Sequence, residues 1–115
     1  MHKEHAVLAG KLEQELRRGV LILAVLSQLE GKQYGYSLRQ LLAAQGMPIE
    51  EGTLYPLLRR MEEQGLLSSE WKIDDGPPRR YYMRSKQGNE VYRDLGASWR
   101  ALVGTLDKMM KETRR

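Results

Sequence analysis

The stretch EEGTLYPLLRRMEEQGLLSSEWKIDDGPPRRYYMR, residues 50–84, contains the features that decide the fold of this 115-residue chain. Its first half has one apolar stripe at the 100° spacing of a helix, formed by Leu54, Leu57, Leu58 and Met61. This stripe predicts a helix over about residues 50–64, which ends at Gly65, a typical terminator. Two β-rich runs around a glycine-proline turn follow and predict a hairpin.

The outer face of this predicted helix is slim near its start and cationic one turn later. A slim helix start suits entry into the major groove of DNA, where Thr53 and Tyr55 would reach base edges or phosphates. Arg59 or Arg60 would then bind phosphates. An ordinary amphipathic helix with solvated arginines has the same pattern, so the helix alone does not decide between the two interpretations.

The predicted hairpin carries adjacent cations directly after a stiff turn at residues 74–78. Neighbouring strand residues point to opposite faces, so Arg79 and Arg80 cannot both be buried. At least one of them is therefore held outward, where a wing would lie along a phosphate backbone or probe the minor groove. A plain surface hairpin with solubilising arginines is the alternative. In combination with the helices, the hairpin favours nucleic acid as the partner.

Three more helices complete the expected architecture. Helical spacing of apolar residues predicts a first helix over residues 12–29, and a second short helix opens at Tyr36 or Ser37. Ser85 can cap a final helix that continues to about residue 112. The fold class is thus mainly α with a small β-hairpin. We expect a winged helix-turn-helix over residues 1–85 and a long C-terminal dimerisation helix over 86–115, as one compact unit.

The final helix has apolar residues at alternating spacings of three and four, the pattern of a coiled-coil seam. The residues of this seam are Tyr92, Leu95, Trp99, Leu102, Leu106 and Met109. The simplest partner for so long a stripe is the same stripe on a second copy, which predicts a two-fold homodimer. The alternative is that this helix packs back on the first helix. Trp99 is either a core or interface residue, or the aromatic wall of a pocket for a flat apolar compound.

The composition excludes several classes of protein. The chain has no cysteine and two histidines, so thiolate chemistry, disulfides and histidine metal sites are not expected. We find no paired nucleophile and base, so we expect neither an enzyme nor a cofactor. No transmembrane run or signal peptide is found, which predicts a cytoplasmic protein without a membrane partner. The formal net charge of +4 favours a polyanionic partner only slightly.

Three segments together resemble a known family. YGYSLRQLL (34–42), EEGTLYPLLRRMEEQGLL (50–67) and GPPRRYYM (76–83) are similar to consecutive signatures of the PadR family of transcriptional regulators, and the similarity extends through the final helix. The resemblance implies a homodimeric repressor that binds a palindromic operator in double-stranded DNA. By matching position, it implies DNA-binding roles for Tyr36, Ser37, Thr53, Tyr55, Pro56, Arg79 and Arg80.

The segment ASWRAL around Trp99 resembles the one that, in multidrug-responsive relatives, places a stacking tryptophan in a pore between subunits. We therefore predict a sequence-specific DNA-binding regulator, a homodimeric repressor released by a small planar hydrophobic effector. The alternative function is a small-molecule-sensing or protein–protein adaptor module with a winged-helix fold and no direct DNA binding.

Overall fold

The computed structural model describes residues 2–73 and 75–113, so Asp74 of the predicted wing turn lies outside the described residues. Its elements, in chain order, are α1 (His2–Ser27), β1 (Gln33–Tyr34), α2 (Gly35–Ala44), α3 (Glu51–Glu63), β2 (Leu67–Lys72), β3 (Arg79–Arg84) and α4 (Lys86–Thr113). This order confirms the predicted winged helix-turn-helix followed by a long C-terminal helix.

The core is formed where α1, α2 and α3 meet the sheet. The four apolar residues of the predicted α3 stripe are all buried, because they face the other helices. The end of α1 contributes Val25 and Leu26, and α2 contributes Leu38 and Leu42. Apolar burial of this kind is the main favourable term in folding.

The sheet has three antiparallel strands in the order β1-β3-β2. Strands β2 and β3 form the predicted hairpin, in which Trp71 lies opposite Arg80 and Lys72 lies opposite Arg79. Strand β1 was not predicted. It contains only Gln33 and Tyr34, which pair with Tyr82 and Tyr81, so its extended form depends on a partner strand distant in sequence.

Two predicted helix starts differ from the structure. Helix α1 begins at His2 and not near residue 12, since the preceding residues are mostly good helix formers that lie outside the apolar stripe used for the prediction. Helix α2 begins at Gly35, one residue before Tyr36 and two before Ser37. The Ser37 hydroxyl accepts a hydrogen bond from the Tyr34 backbone N–H at 3.1 Å and donates one to the Tyr34 carbonyl at 2.9 Å. The Ser37 hydroxyl thus stabilises the first turn of α2 from a position inside the helix.

The predicted cap of α4 and the predicted terminator of α3 are confirmed, whereas α1 ends at Ser27, two residues before the predicted end at residue 29. The Ser85 hydroxyl accepts from the Gly88 N–H at 2.9 Å and donates to the Gly65 carbonyl at 2.6 Å, so it both caps α4 and joins it to the end of α3. Gly65 has a φ of +83°, a conformation that disfavours any residue with a side chain.

The two long helices extend well beyond the core. The Cα radius of gyration is 17.2 Å, and the principal extents are 59 × 34 × 23 Å. A compact domain of this length has a radius of gyration of about 13 Å. The excess comes from α1, whose side chains are exposed from Lys3 to Gly19, and from α4, which is mostly exposed over residues 100–111. None of the described helices is long and apolar enough to cross a membrane.

Candidate nucleic-acid interface

Helix α3 is held by contacts from α2 at its start. The Arg39 side chain donates to the Ile49 carbonyl at 3.2 Å and forms an ion pair with Glu51 at 2.9 Å. These bonds connect α2 to the residues on either side of the helix start, and the buried stripe of α3 fixes its rotation. The outward face of α3 is therefore presented in a single orientation.

That outward face carries the cations that the sequence predicts. Thr53, Arg59 and Arg60 are exposed, and Pro56 is half-buried in the second turn. Neither arginine forms an ion pair within the part of the chain that the structure describes. Their charge is thus available to a polyanion.

Tyr55 is positioned by a close approach to the start of α2. A Cβ atom placed on Gly35 would lie 2.3 Å from the Tyr55 ring, so only glycine leaves space for this ring. Tyr55 is half-buried as a result. Its ring forms part of the surface between the two helices and cannot reach outward as freely as Thr53.

The two adjacent arginines of the wing differ in their exposure and in their contacts. Arg79 is exposed, and its guanidinium lies 4.7 Å from the centre of the Tyr34 ring. Arg80 instead binds Glu62 of α3 at 2.6 Å and the Ser69 hydroxyl at 3.0 Å. Arg79 thus carries the net positive charge of the wing base, and Arg80 attaches the wing to α3.

Between α3 and the wing lies a cavity of about 400 Å³, which we call the aromatic groove. Its aromatic lining consists of Tyr34, Tyr36, Tyr55, Trp71 and Tyr82. Its cationic lining consists of Arg59, Arg79 and Arg80. Burial raises the pKa of the Tyr82 hydroxyl above its ordinary value of 10.0, so this floor residue is neutral at physiological pH.

The structure brings together five of the predicted site residues, which all line the aromatic groove: Tyr36, Tyr55, Arg59, Arg79 and Arg80. Thr53, Pro56 and Arg60 lie on α3 outside it, and the Ser37 hydroxyl is occupied in the first turn of α2. Sequence reasoning missed Tyr34 and Trp71. The alternation of β2 puts Trp71 on the same face as the buried Leu67, and this signal was available.

Comparison with known sequences tests the resemblance. The sequence model of the transcriptional regulator PadR-like family matches residues 22–94. This chain belongs to that family.

Relatives of this PadR-family chain cover most of its length. It is 37% identical over 76 residues to the transcriptional regulator Rv3488 of Mycobacterium tuberculosis, which covers 65% of this chain and 71% of the relative. The crystal structure of a PadR family transcriptional regulator from Eggerthella lenta superposes with a TM-score of 0.90 at 44% identity, covering 94% and 96% of the two chains. A PadR-like transcription factor from Bacteroides fragilis gives 0.73 at 34% identity, covering 86% and 98%.

The PadR chain is therefore a transcriptional regulator with the winged-helix fold of its family. Members of this family regulate transcription and are not enzymes, which agrees with the expectation from its sequence.

The predicted seam of this PadR-family regulator divides into two parts. Tyr92 is half-buried at the edge of the core, beneath the Arg84 guanidinium at 4.4 Å. The other five seam residues, Leu95, Trp99, Leu102, Leu106 and Met109, are exposed by 36–57%. Tyr92 thus packs within its own chain, whereas the other five side chains are each at least one-third exposed.

A second large cavity of the PadR chain, of about 820 Å³, lies between α1 and α4. Trp99 lines it from α4 together with Leu102 and Leu106, and Leu16 and Leu23 line it from α1. The two helices contact each other without closing this space. The cavity is large and apolar enough for a small planar compound.

Arg84, at the end of β3, has an internal role. Its side chain donates to the Leu26 carbonyl and to Asn89 Oδ1, both at 2.8 Å, and its backbone N–H donates to the Leu29 carbonyl at 3.0 Å. It therefore joins the end of β3 to α1 and to the first turns of α4.

Proposed function

We propose that this PadR-family chain is a homodimeric repressor that binds a palindromic operator in double-stranded DNA. The observation that supports it best is the combined cationic surface of α3 and the wing. Arg59 and Arg60 are exposed on α3 without ion pairs in the described residues, and Arg79 is exposed at the wing base. A cytoplasmic location follows from such a role.

In this proposal α3 enters the major groove, and its exposed Thr53 lies near base edges. Arg59, Arg60 and Arg79 bind phosphates, which fix the register of the protein on the duplex. Two copies place their α3 helices in successive major grooves, with half-site centres about 34–36 Å apart. Bound across a promoter, the dimer excludes other proteins from the same DNA.

The proposed dimer forms through the exposed part of the α4 seam. Five large apolar side chains along one side of α4 are at least one-third exposed, which is costly in water for an isolated chain. Association of two such stripes in an isologous contact buries both at once. Tyr92 contributes the part of its surface that stays accessible, since the rest of the side chain packs within its own chain.

A small planar hydrophobic effector would bind in the cavity between α1 and α4, against Trp99. Because α4 also forms the proposed dimer contact, occupation of this cavity would favour one arrangement of the two subunits over another. The effector shifts DNA affinity only by its difference in affinity for the two arrangements.

The DNA-binding proposal predicts a specific dependence on salt. Arg59→Gln combined with Arg79→Gln is expected to weaken binding to the duplex upstream of the protein's own gene, because phosphate contacts are lost. The slope of log affinity against log salt should flatten by about one for each lost contact. Fluorescence anisotropy with a labelled duplex from 50 to 300 mM salt, a range of about sixfold, measures both quantities.

The matched control is Arg93→Gln combined with Arg100→Gln, which removes the same charge from exposed positions on α4. We expect this control to keep the slope of the wild type. Equal effects of the two variants would mean that the affinity for the duplex depends on the net charge alone and not on the positions of the arginines. An absence of salt-sensitive binding to any duplex would instead favour the adaptor function, in which the same fold binds another protein.

The effector proposal predicts a site-specific quench of fluorescence. The chain has two tryptophans, so Trp71→Phe leaves Trp99 as the sole reporter. A planar hydrophobic dye is expected to quench this variant at micromolar concentration, because its ring would stack on the indole. Trp99→Phe should lose most of the quench. A quench that persists at full size in Trp99→Phe would contradict a site at Trp99.

A further inference from the structure

We propose that a polar cavity between α4 and the end of β3 is a binding site for a compact diphosphate anion. This cavity has a volume of about 500 Å³, and we call it the arginine cavity. None of its described lining residues also lines the aromatic groove or the cavity at Trp99. Anion binding there goes beyond the proposed DNA binding and does not depend on it. The polar lining consists of Glu30, Arg84, Asn89, Tyr92, Arg93 and Arg100.

Helix α4 supplies two of the arginines from one side. Asn89, Arg93, Gly96 and Arg100 follow each other at spacings of four, three and four residues, so they lie on a single stripe of the helix. Each of the last three directly follows a seam residue in the sequence. The stripe is therefore turned by about 100° around α4 from the seam, and it lies beside the proposed dimer contact.

The Arg100 side chain folds back along α4 toward the start of the helix. Its guanidinium atoms lie 3.6–4.0 Å from the position that a Cβ atom would take on Gly96, one turn earlier. Arg93 is a further turn earlier on the same stripe, so the two cations approach each other. Because Gly96 has no side chain, the space between them stays open to a ligand.

Arg84 is the third cation, and it enters from the opposite wall. Its Nε donates to Asn89 Oδ1 and its Nη1 donates to the Leu26 carbonyl, both at 2.8 Å, while its guanidinium lies over the Tyr92 ring. Both acceptors are neutral, so the charge of Arg84 is oriented but not compensated. Its Nη2 has no hydrogen bond within the described residues. A side chain that is already fixed loses little freedom when an anion binds.

The charge of the arginine cavity is not balanced from within. Among the described residues none of its three arginines forms an ion pair, although Glu30 lines the same space. Three arginines and one glutamate leave a net charge of +2 on the lining. Like charges that converge in a partly enclosed space repel each other, and a bound anion removes this repulsion. The arrangement therefore favours a multiply charged anion.

The geometry points to phosphate groups as the bound anion. A guanidinium binds phosphate oxygens through paired hydrogen bonds. Arginines stand on both walls, so two linked phosphates can bind Arg84 and the α4 arginines at the same time. One face of the Tyr92 ring is covered by Arg84, and the lining is mainly polar, so the cavity offers little surface for stacking a flat apolar ring. A diphosphate matches both the charge and the spacing of the cations.

Titration calorimetry of the full chain with inorganic pyrophosphate tests the site in about 0.1 M salt, with inorganic phosphate for comparison. We expect pyrophosphate to bind once per chain and at least about tenfold more tightly than phosphate, since it reaches both walls. Arg93→Gln combined with Arg100→Gln should weaken pyrophosphate binding by about tenfold or more. Both side chains are exposed and form no hydrogen bond within the described residues, so their replacement leaves the fold intact.

The matched control is Arg59→Gln combined with Arg79→Gln, which removes the same charge from α3 and the wing. This variant should bind pyrophosphate within about twofold of the wild type. The melting temperature should rise with pyrophosphate in the wild type and in this control, because the ligand binds the folded state, and it should stay constant in the α4 variant. Equal affinity for phosphate, unchanged binding by the α4 variant, an equal loss in the control, or no binding by the wild type would each overturn the site.

ADP carries the same diphosphate on a nucleoside and identifies the source of the anion. An affinity equal to or above that of pyrophosphate assigns the site to nucleotides, and a lower affinity assigns it to free diphosphate. The same two variants separate this site from the proposed function. A chain that binds pyrophosphate but no duplex would refute the DNA-binding function alone, and a chain that binds its duplex but no pyrophosphate would refute the site alone.

Discussion

At the scale of single residues, two glycines decide how elements approach each other. Gly35 admits the Tyr55 ring to the start of α2. Gly88, in the first turn of α4, lies directly against the carbonyl of Leu66, from which an added Cβ would be 2.0 Å distant. Since that carbonyl also accepts the Ser85 N–H, it cannot move without loss of a hydrogen bond.

Gly88→Ala is therefore expected to lower the free energy of unfolding by about 1–3 kcal/mol, because the backbone at Leu66 must shift. Denaturation in urea, followed by circular dichroism, measures the change. Gly10→Ala is the control, since no atom lies within 4 Å of its added Cβ, and it should gain up to about 1 kcal/mol from helix propensity. Similar effects of the two substitutions would contradict a packing role for Gly88.

Residues with local roles could be predicted from the sequence, whereas those with distant partners could not. The α3 stripe, the Gly65 terminator and the Ser85 cap depend on neighbours within a few positions, and all three are confirmed. The pairing of Arg80 with Glu62 joins residues 18 positions apart. Two adjacent arginines look alike in the sequence, and only the fold assigns one to the wing surface and the other to α3.

At the scale of elements, the wing is attached to α3 by a small polar network. Glu62 accepts a hydrogen bond from the Ser69 hydroxyl at 2.6 Å and binds Arg80 at the same distance. The side chains of Arg80 and Glu62 are 34% and 27% exposed, so water screens their attraction only in part. The network fixes the wing relative to α3 and hence the width of the aromatic groove.

Arg80→Gln is expected to destabilise the fold by about 1–2 kcal/mol, since Glu62 loses a charged partner. Arg80→Gln combined with Glu62→Gln should cost less than the sum of the single substitutions, because the pair acts as one unit. Thermal denaturation of the three variants measures this coupling. Arg79→Gln is the comparison, and it should change stability by less than about 0.5 kcal/mol. Additive effects of the Arg80 and Glu62 substitutions would exclude a coupled pair.

The helices and strands with the clearest patterns of apolar and turn residues were the ones predicted correctly from the sequence. The helices α3 and α4 and the hairpin have clear periodicity and turn chemistry, and they are found as expected. Strand β1 has two residues and no pattern of its own, and the start of α1 lacks the apolar stripe of its second half. The aromatic groove could not be predicted as a cavity, because it is formed by residues from β1, α2, α3 and both wing strands.

At the scale of the whole molecule, the extended shape leaves apolar surface on both long helices. Leu8, Leu12 and Leu16 of α1 are exposed by 54–69%, and the α4 seam continues this uncovered surface across the cavity at Trp99. An isolated chain with this shape buries less than a compact domain of its length. The proposed dimer buries part of this exposed apolar surface, because it covers the α4 stripe.

Leu102→Glu should therefore convert the protein from a dimer to a monomer of 13.3 kDa, since it places a charge in the middle of the seam. Sedimentation equilibrium at micromolar concentration measures the mass. Ala97→Glu introduces the same charge at an exposed position on the opposite face of α4 and should remain dimeric. The melting temperature of the wild type should rise with concentration, as expected for coupled folding and association. A monomeric wild type would refute the proposed assembly.

The bonds of Arg84 have a mechanical consequence. They lock the end of β3, the end of α1 and the beginning of α4 into one joint, so the wing and the long helix behave as the two arms of a lever. Helix α4 has 28 residues and is about 42 Å long, so a tilt of about 5° around the joint at its beginning moves its far end by roughly 4 Å. Motion of that size at one arm reaches the other through a rigid pivot. Shifts at the far end of α4 thereby reach the wing with a smaller amplitude, since the six-residue strands of the wing form the shorter arm.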